Sequence, residues 1–304
     1  MKIASLLPST TEIICALGLE KELVAITHEC DYPSSVESIP KVTWNTIDHT
    51  GKSSAEIDRH IRAHVHEGSS LYGLDQEKLT LLEPDLILTQ ELCKVCAVSY
   101  EQVTETVRLI GAKSKTISLE PRTLQEILNS IEDLGKLTGT EAQARKLLKG
   151  LNQRIEQVET EVSNRPNRPR VLCLEWLDPP MVGGHWVPDM IRLAGAEDIL
   201  GRPGDLSYNI SWPEISRAAP EVIIVMPCGF HLGETITEFQ RTVFPEEWLT
   251  LPAVKSGSVF AVDGSSHFNR PGPRIIDGVE VLFEILHGSK SPLPDHKFRF
   301  QKLS

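Results

Sequence analysis

Two stretches of this chain, about 136 residues apart, carry the same pattern. Leu74 to Gln90 reads L-D-Q-E-K-L-T-L-L-E-P-D-L-I-L-T-Q, and Ile210 to Met226 reads I-S-W-P-E-I-S-R-A-A-P-E-V-I-I-V-M. Aligned on Pro84 and Pro220, each is a short amphipathic helix, a proline, an acid (Asp85, Glu221) and an apolar strand. The helix must end before the proline, whose ring disfavours α geometry in the preceding residue. A short, wholly apolar run fits a parallel strand covered on both faces. One unit occurring twice predicts two similar α/β lobes, with a cleft between them that closes on a ligand.

The chain has 304 residues, enough for two domains with a sizeable core each. Its formal net charge of −11 argues against nucleic acid or an anionic membrane surface as partner, because both select for basic patches. No apolar run approaches the roughly 20 residues of a membrane span. The start, Met1 to Leu7, is followed by Pro8-Ser9-Thr10-Thr11-Glu12, which interrupts any signal-like core. We read it as a strand, a turn and a helix capped by Ser9 or Thr10. With no export segment visible, the expectation is a cytoplasmic protein, or a periplasmic or cell-surface one if such a segment is missing. The six cysteines are expected to be reduced, with Cys15 and Cys173 in the core.

Strands are predicted at Lys2–Leu7, Leu23–Thr27, Leu86–Thr89, Lys115–Ile117, Arg170–Leu174, Val222–Met226 and Ser258–Val262. Helices are predicted at Ser9–Leu17, Gln76–Leu82, Tyr100–Ile110, Leu124–Leu137, Val187–Leu193, Trp212–Arg217 and Arg274–Leu286. Thr140 to Val162 keeps apolar residues at helical spacing with no breaker except Gly150, which predicts one long helix. The expected fold is α/β: two parallel-sheet lobes, 1–138 and 166–304, joined by a linking helix within 139–165, with the ligand cleft between lobes.

In parallel sheets ligands bind at the carboxyl ends of strands. The segments after the predicted strands hold an unusual share of the aromatics, histidines and cysteines, including His28–Pro33, Gln90–Cys96, Glu175–Trp186, Pro227–His231 and Asp263–Pro271. Aromatic walls with a few polar groups describe a small-molecule cleft. The candidate ligand contacts are Ser9, Thr10, Tyr32, Trp44, Tyr72, Cys93, Cys96, Trp176, His185, Trp186, Phe268 and Arg270. Of these, Tyr32, Trp176, Trp186, Phe268 and Arg270 are expected to face one another across the cleft.

These residues resemble the helical-backbone class of ABC-transporter substrate-binding proteins, which carry cobalamin, haem and iron–siderophore complexes. The likeness runs through I-A-S-L-L-P-S-T-T-E at the N-terminus, the D-Y-P at Asp31–Pro33, the L-E-P-D-L-I at Leu82–Ile87 and the N-R-P-G-P-R at Asn269–Arg274. It is nearest to the cobalamin-binding members. The resemblance implies a non-catalytic binder of a corrinoid or related metal chelate, requiring no cofactor and serving an ABC-type permease. It also implies permease contacts at Glu77 and Glu214, one on each repeated helix.

Two features depart from that pattern. Trp44 to Ser70 looks inserted and holds His49, His60, His64 and His66; His60 and His64, four apart, share a helix face and could chelate a metal or simply be solvated. Cys93-x-x-Cys96 could line the ligand cleft, form a disulfide or redox pair, bind metal or be structural. Neither identifies a metal. Together they support an alternative: a cytosolic metal- or redox-responsive enzyme or sensor reusing the fold.

Overall fold

The computed structural model describes residues 1–46, 51–66, 71–90, 114–288 and 300–303, with the side chains of 64–66 excepted. Cys93, Cys96, His49 and the expected Tyr100–Ile110 helix lie outside the described residues, as do the side chains of His64 and His66. The chain divides into two compact units. One comprises Met1–Lys52, Ile57–Glu120 and Leu128–Leu148; the other comprises Ser53–Glu56, Pro121–Ile127 and Lys149–Ser304. The long helix runs Glu141–Ser163, and the division falls within it.

The first unit holds a four-stranded parallel sheet in the order β2-β1-β5-β6, formed by β1 (Ile3–Ser5), β2 (Leu23–Ile26), β5 (Leu86–Thr89) and β6 (Lys115–Ser118). Ala4, Ala25 and Ile87 from three of these strands pack with Leu79 of the Gln76–Leu82 helix. A separate antiparallel pair joins β3 (Thr43–Asn45) to β4 (Tyr72–Leu74). The first helix runs Pro8–Ala16, and its N-cap is Leu7 with no side-chain cap. Proline is pre-organised for the first helical position. The helix therefore begins at Pro8, and Ser9 and Thr10 are interior residues, not caps.

The second unit holds a seven-stranded sheet. Its centre is parallel: β7 (Arg170–Leu177), β11 (Val222–Val225) and β12 (Val259–Val262), with β9 (Glu197–Asp198) parallel to β7. Its margins are antiparallel, through β8 (Pro180–Val182), β10 (Tyr208–Asn209) and β13 (Phe300–Lys302). These short margins are absent from the sequence reading. β7 also outruns its predicted end at Leu174, because β8 folds back and pairs Trp176 with Met181 and Leu177 with Pro180. Trp176 is therefore a strand residue rather than a loop residue. The core gathers Leu172, Leu174, Ile223, Val225 and Val259 under Trp248 and Leu251.

The sequence repeat is a structural repeat. Each repeated helix ends in a non-glycine residue of positive φ directly before its proline: Glu83 at 47° before Pro84 and Ala219 at 48° before Pro220. Left-handed geometry at a helix C-terminus releases the chain from the helix. In each unit the acid after the proline then pairs with the start of the neighbouring strand. Lys2 and Arg170, which lead into β1 and β7, send their side chains to the last helical carbonyls, of Leu82 at 3.1 Å and of Ala218 at 2.8 Å.

In the second unit Arg154 of the long helix makes a forked contact with Glu280 of the Ile275–His287 helix, with both N···O distances 2.8 Å, and reaches Asp277 at 2.5 Å. Burial disfavours the guanidinium, but the bonds from Glu280 and Asp277 outweigh it and hold its pKa above the ordinary arginine value.

Candidate functional site

At the strand ends of the first unit the chain forms a buried hydroxyl network. Thr10 Oγ1 donates to the Leu7 carbonyl oxygen at 3.0 Å and lies 2.5 Å from Ser5 Oγ. Thr11 donates to Ser5 at 2.8 Å and lies 3.1 Å from Cys30 Sγ. Ser9 and Thr10 are buried inside this helix and strand junction. We therefore withdraw both as ligand contacts: the early helix start turns them inward.

Beyond β2, Thr43 donates to Thr27 at 2.8 Å, and His28 Nδ1 lies 2.7 Å from the Thr43 hydroxyl. Tyr72 packs against the His28 ring at 5.7 Å between centroids. Trp44 lies over Gly73, where an added Cβ would fall 2.2 Å from the indole, so only glycine leaves room for it. Tyr32 and Trp44 remain about half exposed, at 48% and 50%, unusual for side chains of this size. Thus Tyr72 joins the hydroxyl cluster, while Tyr32 and Trp44 stay open to a partner.

In the second unit the indole of Trp176 donates to the Ser54 carbonyl oxygen at 3.2 Å and meets Phe230 edge-on, 5.5 Å between centroids. Trp186 is 8% exposed and donates to the backbone oxygen of Phe268 at 2.7 Å, and Phe268 is 0% exposed. Both belong to the interior and not to an open wall. Their neighbours Gly184 and Pro271 suggest loops, but burial is a tertiary property. Arg270 is also buried. Within the second unit Trp186, Phe268 and Arg270 are thus buried while Trp176 is half-buried; in the first unit Tyr32 is about half exposed.

His185 has a positive φ of 53° and its amide donates to the Asp205 carbonyl oxygen at 2.6 Å. Burial, with the Arg122 charge, lowers its pKa. The second unit also holds polar groups that the sequence alone does not single out. Glu175 accepts a hydrogen bond from Ser207, and Ser207 Oγ accepts from the Gly184 amide at 3.1 Å. His231 Nδ1 lies 3.2 Å from both carboxylate oxygens of Asp263. Phe230, His231 and Asp263 follow strands, and Glu175 lies inside β7 just past its predicted end at Leu174, so nearness to a strand end is their only signal in the sequence.

The thiols differ. Cys173 is fully buried and its pKa is raised, first by burial and then by Asp198 and Glu175. Cys15 is only half-buried, not core as expected, and its pKa is pushed up to about 12, chiefly by burial. Among the described residues no three or more His, Cys, Asp or Glu are arranged to hold a metal ion. In the inserted helix Ser54–His66, His60 Nδ1 lies 3.2 Å from Lys52 Nζ.

Glu77 and Glu214 are both exposed, in the first turns of the two repeated helices. Glu214 closes a capping box by accepting from Ser211 N at 3.0 Å and Ser211 Oγ at 2.6 Å; these bonds lower its pKa. Glu77 has no such duty, because Asp75 caps its helix. The shallow surface depression at Pro245, Glu246, Glu247 and Thr250 contains none of these groups.

Residues 3–265 match the family model described as periplasmic binding protein. The chain is 25% identical over 283 residues to the vitamin B12-binding protein of Vibrio cholerae, covering 92% of this chain and 87% of that one. It is 24% identical over 292 residues to an ABC transporter substrate-binding lipoprotein of Bacillus subtilis, covering 94% and 80%. Among solved structures it resembles a periplasmic heme binding protein from Pseudomonas aeruginosa, with a TM-score of 0.71 at 18% identity, covering 96% and 94%. These findings overturn the cytoplasmic expectation, since the matching family is periplasmic and a relative is a lipoprotein. The expectation rested on a few N-terminal residues, whereas the match spans most of the chain.

Proposed function

The chain belongs to the periplasmic binding protein family, and from that premise we propose that it captures a corrinoid or related metal chelate and delivers it to an ABC-type permease. The observation that carries the ligand class is the pair of half-exposed aromatics, Tyr32 and Trp44, beside the strand ends of the first unit. Large apolar side chains left open in this way suit a broad, flat ligand such as a macrocycle. Trp176, Tyr72 and His185 are the other candidate contacts. Solute-binding relatives support a carrier rather than a catalyst.

Glu77 and Glu214 are the proposed permease contacts. Each is exposed on a repeated helix, and a carboxylate is the natural partner of an arginine fork. No described helix is long and apolar enough to cross a membrane.

Titration of the purified chain with cyanocobalamin, cobinamide, haemin and ferric siderophores, followed by tryptophan fluorescence, tests the reading. Saturable quenching by a corrinoid supports it. Binding of siderophore alone would move the ligand class away from macrocycles.

A further inference from the structure

We propose that Cys15 and Cys30 form a disulfide that fastens the Pro8–Ala16 helix to the loop after β2 when the chain folds in an oxidising compartment. Both are thiols in the structure, Cys15 half-buried and Cys30 buried. The expectation of reduced cysteines rested on a cytoplasmic location. The matching family is periplasmic instead, and the periplasm is a compartment in which disulfides form and persist.

The geometry aims one sulfur at the other. Thr11 Oγ1 lies 3.1 Å from Cys30 Sγ. Thr11 and Cys15 stand at i and i+4 of one helix, so they share a face with Cβ atoms about 5–6 Å apart. A helical side chain leans toward the helix N-terminus. Cys15 therefore leans toward the Thr11 turn, and so toward the Cys30 sulfur. Cys30 is held in place on its own side: its amide donates to the Thr27 carbonyl oxygen at 3.2 Å, and the Thr27 amide donates to that of Ser5 at 3.1 Å. The two thiols also act on each other electrically: the Cys15 pKa is pushed up to about 12 by burial first, then by Glu20, Cys30 and Glu12. The other two described thiols form no such pair. Cys173 lies in register with Ile224, whereas Cys228 is past the end of β11 with its amide on the Glu175 carbonyl oxygen.

The oxidant is an external disulfide, R–S–S–R, of the glutathione or oxidoreductase class. The Cys15 thiolate attacks it, forming Cys15–S–S–R and releasing one thiolate. The Cys30 thiolate then attacks the Cys15 sulfur, closing the Cys15–Cys30 bond and releasing the second thiolate. Two cysteines lose two electrons, one external disulfide gains them, and the two cysteine protons end on the released thiols. Buried in the folded chain, Cys15 offers little thiolate near neutrality and would react slowly. The bond therefore closes as the chain folds, while both thiols still titrate near the ordinary value. It closes a loop of about 15 residues, a length at which a disulfide restrains the unfolded chain strongly.

The test refolds the full chain, reduced and unfolded, in a buffer of oxidised and reduced glutathione poised as in an oxidising compartment. Remaining thiols are blocked with a maleimide under denaturing conditions, and proteolytic peptides are read by mass spectrometry. Most molecules are expected to yield a peptide pair linked through Cys15 and Cys30. The native chain, equilibrated in the same buffer with a disulfide oxidoreductase, should reach the same product, so the result does not depend on refolding yield. The oxidised chain should melt roughly 5 °C above the reduced one, and Cys15→Ser and Cys30→Ser should each remove most of that difference. If both cysteines carry maleimide by both routes, or either is linked to another cysteine instead, the inference falls. A Cys15–Cys30 bond that lowers the melting temperature would also overturn it, because the native positions would then not accept the bond. The carrier role stands or falls separately, since no step here involves the ligand.

Discussion

Asp85 and Lys2 exchange two hydrogen bonds: the Lys2 amide donates to Asp85 Oδ2 at 2.8 Å, and the Asp85 amide donates to the Lys2 carbonyl oxygen at 2.8 Å. Glu221 and Arg170 repeat the exchange in the second unit, with both bonds 2.9 Å. The acid after each proline thus pins the outgoing strand to the start of its neighbour. These bonds are solvent-exposed, so each side-chain bond should contribute only about 0.5–1.5 kcal/mol. Asp85→Ala and Glu221→Ala should each lower stability by that amount in urea unfolding, and Asp85→Asn, which keeps an acceptor, by less. An equal loss in Asp85→Asn and Asp85→Ala would mean that acceptance from Lys2 N–H is not the cause.

Arg154 neutralises Glu280, a carboxylate that is 1% exposed. Removing one partner of such a pair leaves an uncompensated buried charge, which costs about 3–5 kcal/mol. Arg154→Met should therefore be severely destabilising, and the double variant with Glu280→Met should recover much of the loss. Thermal melts of the two variants decide it: a double variant no more stable than the single one would contradict the pairing.

Asp198 is half-buried, and its pKa is raised from the ordinary 3.8, chiefly by burial, although the Gly201 and Leu200 amides oppose the shift. An acid with a raised folded pKa binds more protons folded than unfolded. Its stabilising contribution is complete below pH 3.8 and is lost as pH rises through the folded value. Asp198→Asn mimics the protonated form and keeps an acceptor for the Leu200 and Gly201 amides, 3.1 and 2.7 Å away. At pH 8 it should match or exceed wild-type stability, by up to about 1 kcal/mol, with the gain vanishing near pH 3.5. Destabilisation at pH 8 would contradict this.

Trp44 and Trp186 should behave oppositely. Trp44 is half exposed, so Trp44→Ala should change stability by less than about 1 kcal/mol yet weaken corrinoid binding by about 1–3 kcal/mol. Trp186→Ala removes a packed interior side chain and should cost about 3–5 kcal/mol of stability. Paired denaturation and fluorescence titrations check both. A folded Trp186→Ala that has lost only affinity would return Trp186 to the ligand wall.

Elements with strong local signals were legible in the residues. The helices Gln76–Leu82 and Val187–Leu193 and the strand Leu86–Thr89 have the ends that their prolines, caps and apolar runs dictate. The repeat extended this to paired helix ends at Glu83 and Ala219. What stayed hidden depends on distant partners. β8, β10 and β13 are two or three residues long and exist only through their neighbours. Trp186 and Phe268 sit beside Gly and Pro in sequence, but their burial follows from packing. Location misled because it was read from the N-terminus alone.

The most direct measurement is equilibrium titration of the purified chain with cyanocobalamin, monitored by tryptophan fluorescence and by calorimetry. We predict saturable one-to-one binding with a Kd of about 1 μM or tighter, equivalent to roughly −8 kcal/mol. Absence of binding up to about 100 μM by both methods, with the chain folded by circular dichroism, would contradict a corrinoid carrier.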